Sequence, residues 1–277
     1  MSVTVMGNPY QSWALEDVSW ASIRHEAVVN EEELFYLTVN ASFMKAAGAE
    51  LYLEDLLRYF TGDSAIQTWL KQEWQQDELH HAGALKRYVR TAWPEFDWDA
   101  VYEYFFSEFA ANYRNGNLAP SRSLEMAARC VLESAAAGYY AALRGLTREP
   151  LLRLLAWRIS VDEMRHYQHF YRYFGKYRRI DNTSRREVLR AMWRRLKNLN
   201  RDGKSIVMKH VYGACHPSEP FDLRKYRNMN KRCRQLLARN IPRAAEAMML
   251  LKPLDLGSRT EQIALPVLGM VVQRLVT

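Results

Sequence analysis

Two short stretches of the sequence place a glutamate three residues before a histidine, and both read Asp-Glu-x-x-His. The first runs from Asp77 to His81 and the second from Asp162 to His166. Residues three apart lie on one face of an α-helix, so each stretch can offer a carboxylate and an imidazole to one point in space. These ligand types suit iron or manganese better than copper(I). Because the pair occurs twice, we interpret it as a metal site rather than as a solvated helix face.

A lone glutamate precedes each pair at a similar distance. Glu50 lies 28 positions before Glu78, and Glu133 lies 30 positions before Glu163. A helix of about 30 residues is roughly 45 Å long, so each lone glutamate can face its pair across a helix hairpin. Most of its neighbours on the same helical face are apolar, and an ionised glutamate buried there needs a partner. We therefore predict a dinuclear metal site whose ligands are Glu50, Glu78, His81, Glu133, Glu163 and His166.

The register of the first pair has an alternative. Asp77 and His80 are also three apart and could replace Glu78 and His81 as ligands. The second copy argues against this, because Arg165 stands at the position that corresponds to His80. A guanidinium is always protonated and has no lone pair to offer a metal.

The lone glutamates also leave alternatives open. Glu54 could replace Glu50, although its distance of 24 positions to Glu78 matches the second copy less well. Arg129 lies four residues before Glu133 and could pair with that carboxylate in place of a bound cation. Spacing alone does not decide between these arrangements.

Helical elements account for nearly the whole chain. Proline and glycine are sparse, and few runs alternate as β-strands do. Thr147 is a candidate N-cap, and the helix that carries the second pair is expected to stop near Gly175. We predict helices at about 31–60, 65–91, 97–116, 121–146, 149–175, 183–199, 205–212, 222–250 and 259–275.

The composition limits the class of protein. A chain of 277 residues with 48% hydrophobic residues fits one large domain. We predict a single domain with an N-terminal extension at 1–28, a metal-binding bundle at 29–176 and basic helices at 177–277. No apolar run approaches about 18 residues, so no transmembrane helix is expected. Three irregularly spaced cysteines predict a reducing cytoplasm and argue against a disulfide framework.

The positive charge is concentrated in the last third. Residues 176–239 contain 19 Lys and Arg against five Asp and Glu, although the whole chain carries only +8. A surface of this kind can dock an acidic partner, but it can equally be a solvated helical surface. The charges form two groups, Arg185, Arg186, Arg190, Arg194 and Arg195, and then Arg224, Lys225, Arg227, Lys231, Arg232 and Arg234.

Over roughly residues 30–175 the layout resembles the ferritin-like di-iron carboxylate oxidases, most closely the soluble acyl-carrier-protein desaturases. In those enzymes a helix with one Glu precedes a Trp-containing helix with Glu-x-x-His, and the pattern then repeats. Here Trp69 and Trp74 precede the first pair, and 161–166 is similar to the second copy. The spacing also resembles cyanobacterial aldehyde-deformylating oxygenases. The fragments 78–81 and 165–168 resemble a di-iron tRNA hydroxylase.

This resemblance implies an all-α fold, a ferritin-like four-helix bundle with a dinuclear metal site and additional C-terminal helices. It implies two iron ions, or iron with manganese. Glu50 and Glu133 would each bind one metal, Glu78 and Glu163 would bridge both, and His81 and His166 would complete the two coordination spheres. The aspartates that precede the bridging glutamates, Asp77 and Asp162, would accept hydrogen bonds from the two imidazoles.

The function implied by the resemblance is an O₂-dependent oxidation of an apolar substrate, most closely the desaturation or hydroxylation of an acyl chain. Electrons would come from a ferredoxin or a reductase, because the sequence contains no Gly-rich nucleotide loop. The basic region would dock an acyl carrier protein, and a homodimer is compatible with the resemblance. The alternatives are a di-iron hydroxylase that acts on tRNA and a non-catalytic iron-binding bundle.

Overall fold

The computed structural model describes residues 13–113, 118–198, 204–217 and 220–276, and their regular secondary structure is helical, without a β-strand. Residues 1–12 of the predicted N-terminal extension lie outside this described part. In the described residues, no helix combines the length and the apolar composition that a membrane crossing needs. The helices are α1 (Glu32–Tyr59), α2 (Ser64–Trp69), α3 (Gln75–Ala92), α4 (Trp98–Asn112), α5 (Arg122–Leu146), α6 (Pro150–Asp181), α7 (Arg185–Asn198), α8 (Lys204–Cys215), α9 (Leu223–Asn240), α10 (Arg243–Leu251) and α11 (Ser258–Val276).

Four of these helices surround the residues of interest. The most extensive packing is between α5 and α6, followed by α1 and α3. Contacts between α1 and α5 and between α3 and α6 close the arrangement. Large apolar side chains from all four helices are completely buried, among them Phe43, Leu85, Met126 and Phe170. This apolar interior sets the rotation of each helix about its own axis, and therefore which polar residues face inward.

A π-helical turn interrupts the segment that we predicted as one helix at 65–91. It spans Leu70–Trp74 and joins α2 to α3 without a break in the chain direction. A π turn accommodates one extra residue and rotates everything that follows, and such turns are common at functional sites. Here the turn ends just before Asp77 and Glu78, and it places Trp74 toward the interior.

The start of α6 differs from the prediction. Thr147 is the C-cap of α5, and Glu149 is the N-cap of α6. The Glu149 carboxylate accepts hydrogen bonds from the backbone N–H of Leu151 and Leu152, at 3.1 and 2.7 Å. It also accepts one from the Tyr88 hydroxyl at 2.9 Å, which ties the start of α6 to α3.

The end of α6 differs too. The helix continues through Gly175 to Asp181 and ends at Asn182, whose φ of 49° is left-handed. A glycine inside a helix costs about 1 kcal/mol relative to alanine. Beyond this glycine the buried ring of Tyr177 packs on Phe60, and this packing keeps the chain helical.

The C-terminal helices pack on the four central ones. α7, α9 and α10 contact α5, while α8 contacts α1 and α4. The predicted helix at 222–250 is two helices, because Pro242 lacks an N–H group and α9 ends at Asn240. Among the residues of the basic region, Arg195 is buried beside Glu125, and Arg232 pairs with Glu32 and Glu33 on α1.

Candidate metal centre

Four buried side chains from three helices converge between α3, α5 and α6. They are Glu78, Glu133, Glu163 and His166, and one ligand atom of each lies within 4.8 Å of those of the other three. The three carboxylates and the imidazole are at most 6% exposed. Three carboxylates and one imidazole at this separation are a donor set that can hold a metal ion.

His81 stands at the edge of this group. Its imidazole is completely buried, and its Nδ1 lies 3.3 Å from Glu163 Oε1 and 3.8 Å from Glu78 Oε1. The Nδ1 atom of His166 lies 3.6 Å from Glu78 Oε1 and 3.6 Å from Glu133 Oε2. Glu78 therefore lies between the two histidines, as expected for a glutamate that could serve both.

The two histidines are held by aspartates in a crossed arrangement. The Nε2 of His166 on α6 donates to Asp77 Oδ2 on α3 at 2.9 Å, and the Nε2 of His81 on α3 donates to Asp162 Oδ2 on α6 at 3.0 Å. Each Asp-Glu-x-x-His stretch thus orients the imidazole of the other. Arg165 connects the two aspartates, with Nη2 at 2.7 Å from Asp77 and 3.2 Å from Asp162.

Several polar atoms of the cluster suit a bound cation. Three of the buried side-chain atoms that have no hydrogen-bond partner in the described residues lie here: His81 Nδ1, His166 Nδ1 and Glu163 Oε2. Buried polar atoms are normally satisfied, so three unpartnered atoms in one cluster need an explanation. Because both Nε2–H groups are used by aspartates, the Nδ1 lone pairs are available to a metal. The residues present therefore fit a bound transition-metal ion.

Lys45 of α1 is the residue that the sequence interpretation missed. Its ammonium is buried and donates to Glu78 Oε1 and Oε2 at 2.6 and 2.7 Å and to Glu163 Oε1 at 2.5 Å. Burial lowers the pKa of Lys45, but the carboxylates of Glu163 and Glu78 raise it well above its ordinary value. A positive charge is therefore built into the carboxylate cluster.

Glu50 does not join the group, contrary to the prediction. It is exposed, and its Oε1 accepts a hydrogen bond from the Tyr102 hydroxyl at 3.3 Å. Five residues separate it from Lys45, which is about 140° around a helix, so the two side chains cannot face the same side. Glu54, the alternative, is exposed as well.

The possible pairing of Arg129 with Glu133 is not what the structure shows. Arg129 Nε donates instead to Glu125 Oε1 at 2.8 Å, one turn earlier on α5. Glu133 Oε1 accepts a hydrogen bond from the indole N–H of Trp74 at 3.4 Å. This leaves Glu133 Oε2 directed toward His166 and the cluster.

Protons and a cation would compete for this group. Burial raises the pKa of Glu133 to about 7. Burial lowers the pKa of His166, but its hydrogen bond to Asp77 and the nearby Glu133 raise it to about 9. Burial also acts to raise the pKa of Glu163, yet the ammonium of Lys45 holds it well below its usual range. A metal ion that binds here would displace protons from Glu133 and His166.

The N-terminal segment closes one side of the centre. The indole N–H of Trp13 donates to Asp162 Oδ2 at 3.0 Å, so this carboxylate oxygen serves both Trp13 and His81. The ring of Trp13 also packs edge-on against His80 at 4.1 Å between centroids. His80 therefore belongs to this outer layer, and not to the group of four.

An apolar cavity of about 200 Å³ opens beside the cluster. Its charged and acidic lining residues include Lys45, Glu78, Arg129, Glu133 and Glu163. A cavity of about 150 Å³ is known to hold benzene, so this space is large enough for a small organic molecule. Most of the remaining wall is apolar or aromatic and includes Ala41, Met44, Tyr52, Leu132, Ala136 and Tyr140.

Comparison with known proteins gives no further guide, since no protein-family model and no curated protein matches the sequence. The structure defines an all-α protein with a buried group of three glutamates and one histidine that could hold a metal ion. The functional interpretation rests on the centre and its cavity.

Proposed function

We propose that this protein is a ferritin-like, metal-dependent oxidase that uses O₂ to oxidise an apolar substrate held in the cavity. The observation that carries the proposal is the contact between the buried Glu/His group and the cavity, since both share Glu78, Glu133 and Glu163. A bundle that only stores iron needs no substrate-sized apolar space beside its ligands, whereas an oxidase does.

Iron is the ion that suits the chemistry, with manganese as the alternative, and it would supply the activation of O₂. The ligands would be Glu78, Glu133, Glu163 and His166. The protein's contribution is positional. Asp77 fixes the orientation of His166, Trp74 fixes one oxygen of Glu133, and the buried aromatic wall excludes water.

Substrate recognition would use the polar part of the cavity wall. Arg129 donates its Nε to Glu125, and its guanidinium lies over the ring of Tyr52, 5.6 Å from the ring centre, at the wall of the cavity. It lies one helical turn before Glu133, or about 6 Å along α5. A substrate with an anionic group at Arg129 would place its nearest apolar carbons beside the cluster. This favours an acyl or aryl chain that carries a carboxylate or a similar anionic group.

The electron balance requires an outside donor. Desaturation and hydroxylation each consume one O₂, two electrons and two protons beyond what the substrate supplies. The aromatic and apolar wall of the cavity offers no such donor, so a ferredoxin or a reductase would have to deliver the electrons. The proposal therefore includes a protein partner that is itself redox-active.

The test is aerobic turnover after anaerobic loading with Fe(II). We expect O₂ uptake that depends on iron, a chemical reductant and a substrate drawn from a panel of fatty acids, aryl acids and acyl thioesters. Mass spectrometry should show a product heavier by one oxygen atom or lighter by two hydrogen atoms. His166→Ala should abolish both iron binding and product formation. O₂ uptake that produces only ferric iron, with every substrate recovered unchanged, would instead identify a storage or ferroxidase bundle.

A further inference from the structure

The two halves of the centre are not equivalent. One half contains Glu133 and His166 together with Glu78 and Glu163, and its four ligand atoms all lie within 4.8 Å of one another. The other half would be built on His81 and the same two shared glutamates. It lacks a carboxylate from α1, because the position that faces inward on that helix is Lys45. The first half is complete, and the second has an ammonium in place of a ligand.

In the half with His81, the ammonium of Lys45 already occupies the carboxylate oxygens that a metal ion would need. Its Nζ lies within 2.7 Å of both oxygens of Glu78 and 2.5 Å from Glu163 Oε1. A transition-metal ion bound at the His81 half would need these same carboxylate oxygens, at about 2.0–2.2 Å. It would stand next to a fixed positive charge in a buried site, where repulsion is poorly screened. The ammonium and a second ion therefore compete for one place.

Counting the inner charges leads to the same conclusion. Glu78, Glu133 and Glu163 carry three negative charges when ionised, and the Lys45 ammonium with one divalent ion balances them. A second divalent ion would leave two positive charges in excess among these groups, and buried charge without a partner is strongly unfavourable. The outer group of Asp77, Asp162 and Arg165 adds only one negative charge, which does not offset that excess.

We propose that the centre binds one transition-metal ion, at Glu78, Glu133, Glu163 and His166, and that the Lys45 ammonium permanently takes the place of a second ion. The inference rests on the metal-dependent function proposed above and changes its stoichiometry. It also places a positive charge in the cavity wall beside the ion, since Lys45 lines that cavity.

The test measures bound metal and does not depend on turnover. Purified protein is stripped with chelator and equilibrated anaerobically with Mn(II) alone and, separately, with Fe(II) alone. The bound metal is then counted by elemental analysis. We expect one ion per wild-type chain and an electron paramagnetic resonance spectrum of isolated Mn(II). Lys45→Glu should raise the count to two and give the spectrum of a coupled Mn(II) pair, because it restores a carboxylate and removes the ammonium.

Two further variants control for misfolding of Lys45→Glu and for the effect of charge reversal itself. Lys45→Met removes the charge with little change in volume and should admit a second, weaker Mn(II) ion. It decides the question if Lys45→Glu does not fold. Lys231→Glu reverses an exposed lysine on α9 and should retain one ion.

The outcomes separate the two proposals. Two ions in the wild type would overturn the role of Lys45 and leave the metal-dependent oxidase intact. One ion in the wild type and still one in both Lys45 variants would also overturn it, because the lysine would not be what excludes the second ion. No bound ion in any folded variant would reject the metal centre itself.

Discussion

At the scale of single residues, the crossed hydrogen bonds explain how the imidazoles of His81 and His166 are oriented. Asp77 on α3 holds His166 on α6, and Asp162 on α6 holds His81 on α3, so the two helices fix each other's imidazoles. Burial acts to raise the pKa of Asp77, but its hydrogen bond from His166 holds it below the usual range. The aspartate is therefore an anion at neutral pH and keeps the Nε2 proton of His166 directed away from the ligand position.

Asp77→Asn should weaken metal binding without removing a ligand. The amide keeps a hydrogen-bond acceptor but loses the charge that fixes His166 and Arg165, and changes in such residues typically reduce metal affinity by about 10–100-fold. The measurement is a titration with Mn(II) at constant pH. Asp99→Asn is the matched control, because Asp99 forms exposed ion pairs on α4 and should leave the affinity unchanged. Equal affinities in Asp77→Asn and the wild type would show that Asp77 does not position His166 for metal binding.

Among the residues of the site, the sequence could predict those whose relative positions are set within a single helix. The spacing of Glu78 to His81 and of Glu163 to His166 is set within one helix. The structure places Glu78, Glu163 and His166 in the group of four and His81 at its edge. The inward residue of α1 could not be found in this way. No partner within α1 defines its rotation, which depends on packing against α3 and α5, and this packing turns Lys45 inward and Glu50 outward.

At the scale of elements, caps and turns position the helices that carry the ligands. The π turn at Leu70–Trp74 ends three positions before Asp77, and Glu149 fixes the start of α6. Neither was predictable from spacing. A π turn has no clear sequence signature, and glutamate is not among the preferred N-cap residues. Helix existence, by contrast, followed from the sparse proline and glycine and from the scarcity of alternating runs, and only internal breaks and ends were displaced.

Glu149→Ala should destabilise the fold through the junction of α3 and α6. The change removes the cap of two backbone N–H groups and leaves the buried Tyr88 hydroxyl without its acceptor. Together these effects should lower the free energy of unfolding by about 2–4 kcal/mol. Chemical denaturation measures the change. Tyr88→Phe removes only the hydroxyl contact and should cost less, so an equal loss in both variants would contradict the role of the cap.

At the scale of the whole molecule, the basic region is divided by the fold. Arg195 is buried against Glu125, and Arg232 is occupied by two glutamates of α1, so neither is part of an open docking face. The outer side of α7 is different. Arg186, Arg190 and Arg194 are exposed there, together with the apolar side chains of Leu189 (53% exposed) and Trp193 (43%). Exposed aromatic and arginine side chains together are typical of interaction surfaces.

The resemblance predicts that an acidic carrier protein docks on the basic region, and reversing the three arginines on α7 to glutamate tests this. On that prediction the carrier protein should bind roughly tenfold or more weakly, because each close charge pair contributes on the order of 1 kcal/mol. Calorimetric titration with an acyl carrier protein at low and at physiological salt measures the effect, and the metal content should not change. The control reverses the same number of exposed positive charges elsewhere, at Lys71, Arg148 and Arg153. Equal weakening by the control would assign the effect to net charge alone.

The contact between Trp13 and Asp162 bears on when, during synthesis of the chain, the residues of the centre can come together. These residues are 149 positions apart, and the inner group needs residues from α1 as well as α3, α5 and α6. A chain emerging from the ribosome cannot present the complete ligand set until α6 has been made. On the proposed metal-dependent function, metal is therefore acquired late in biogenesis, by a carboxylate group whose charge Lys45 already partly neutralises.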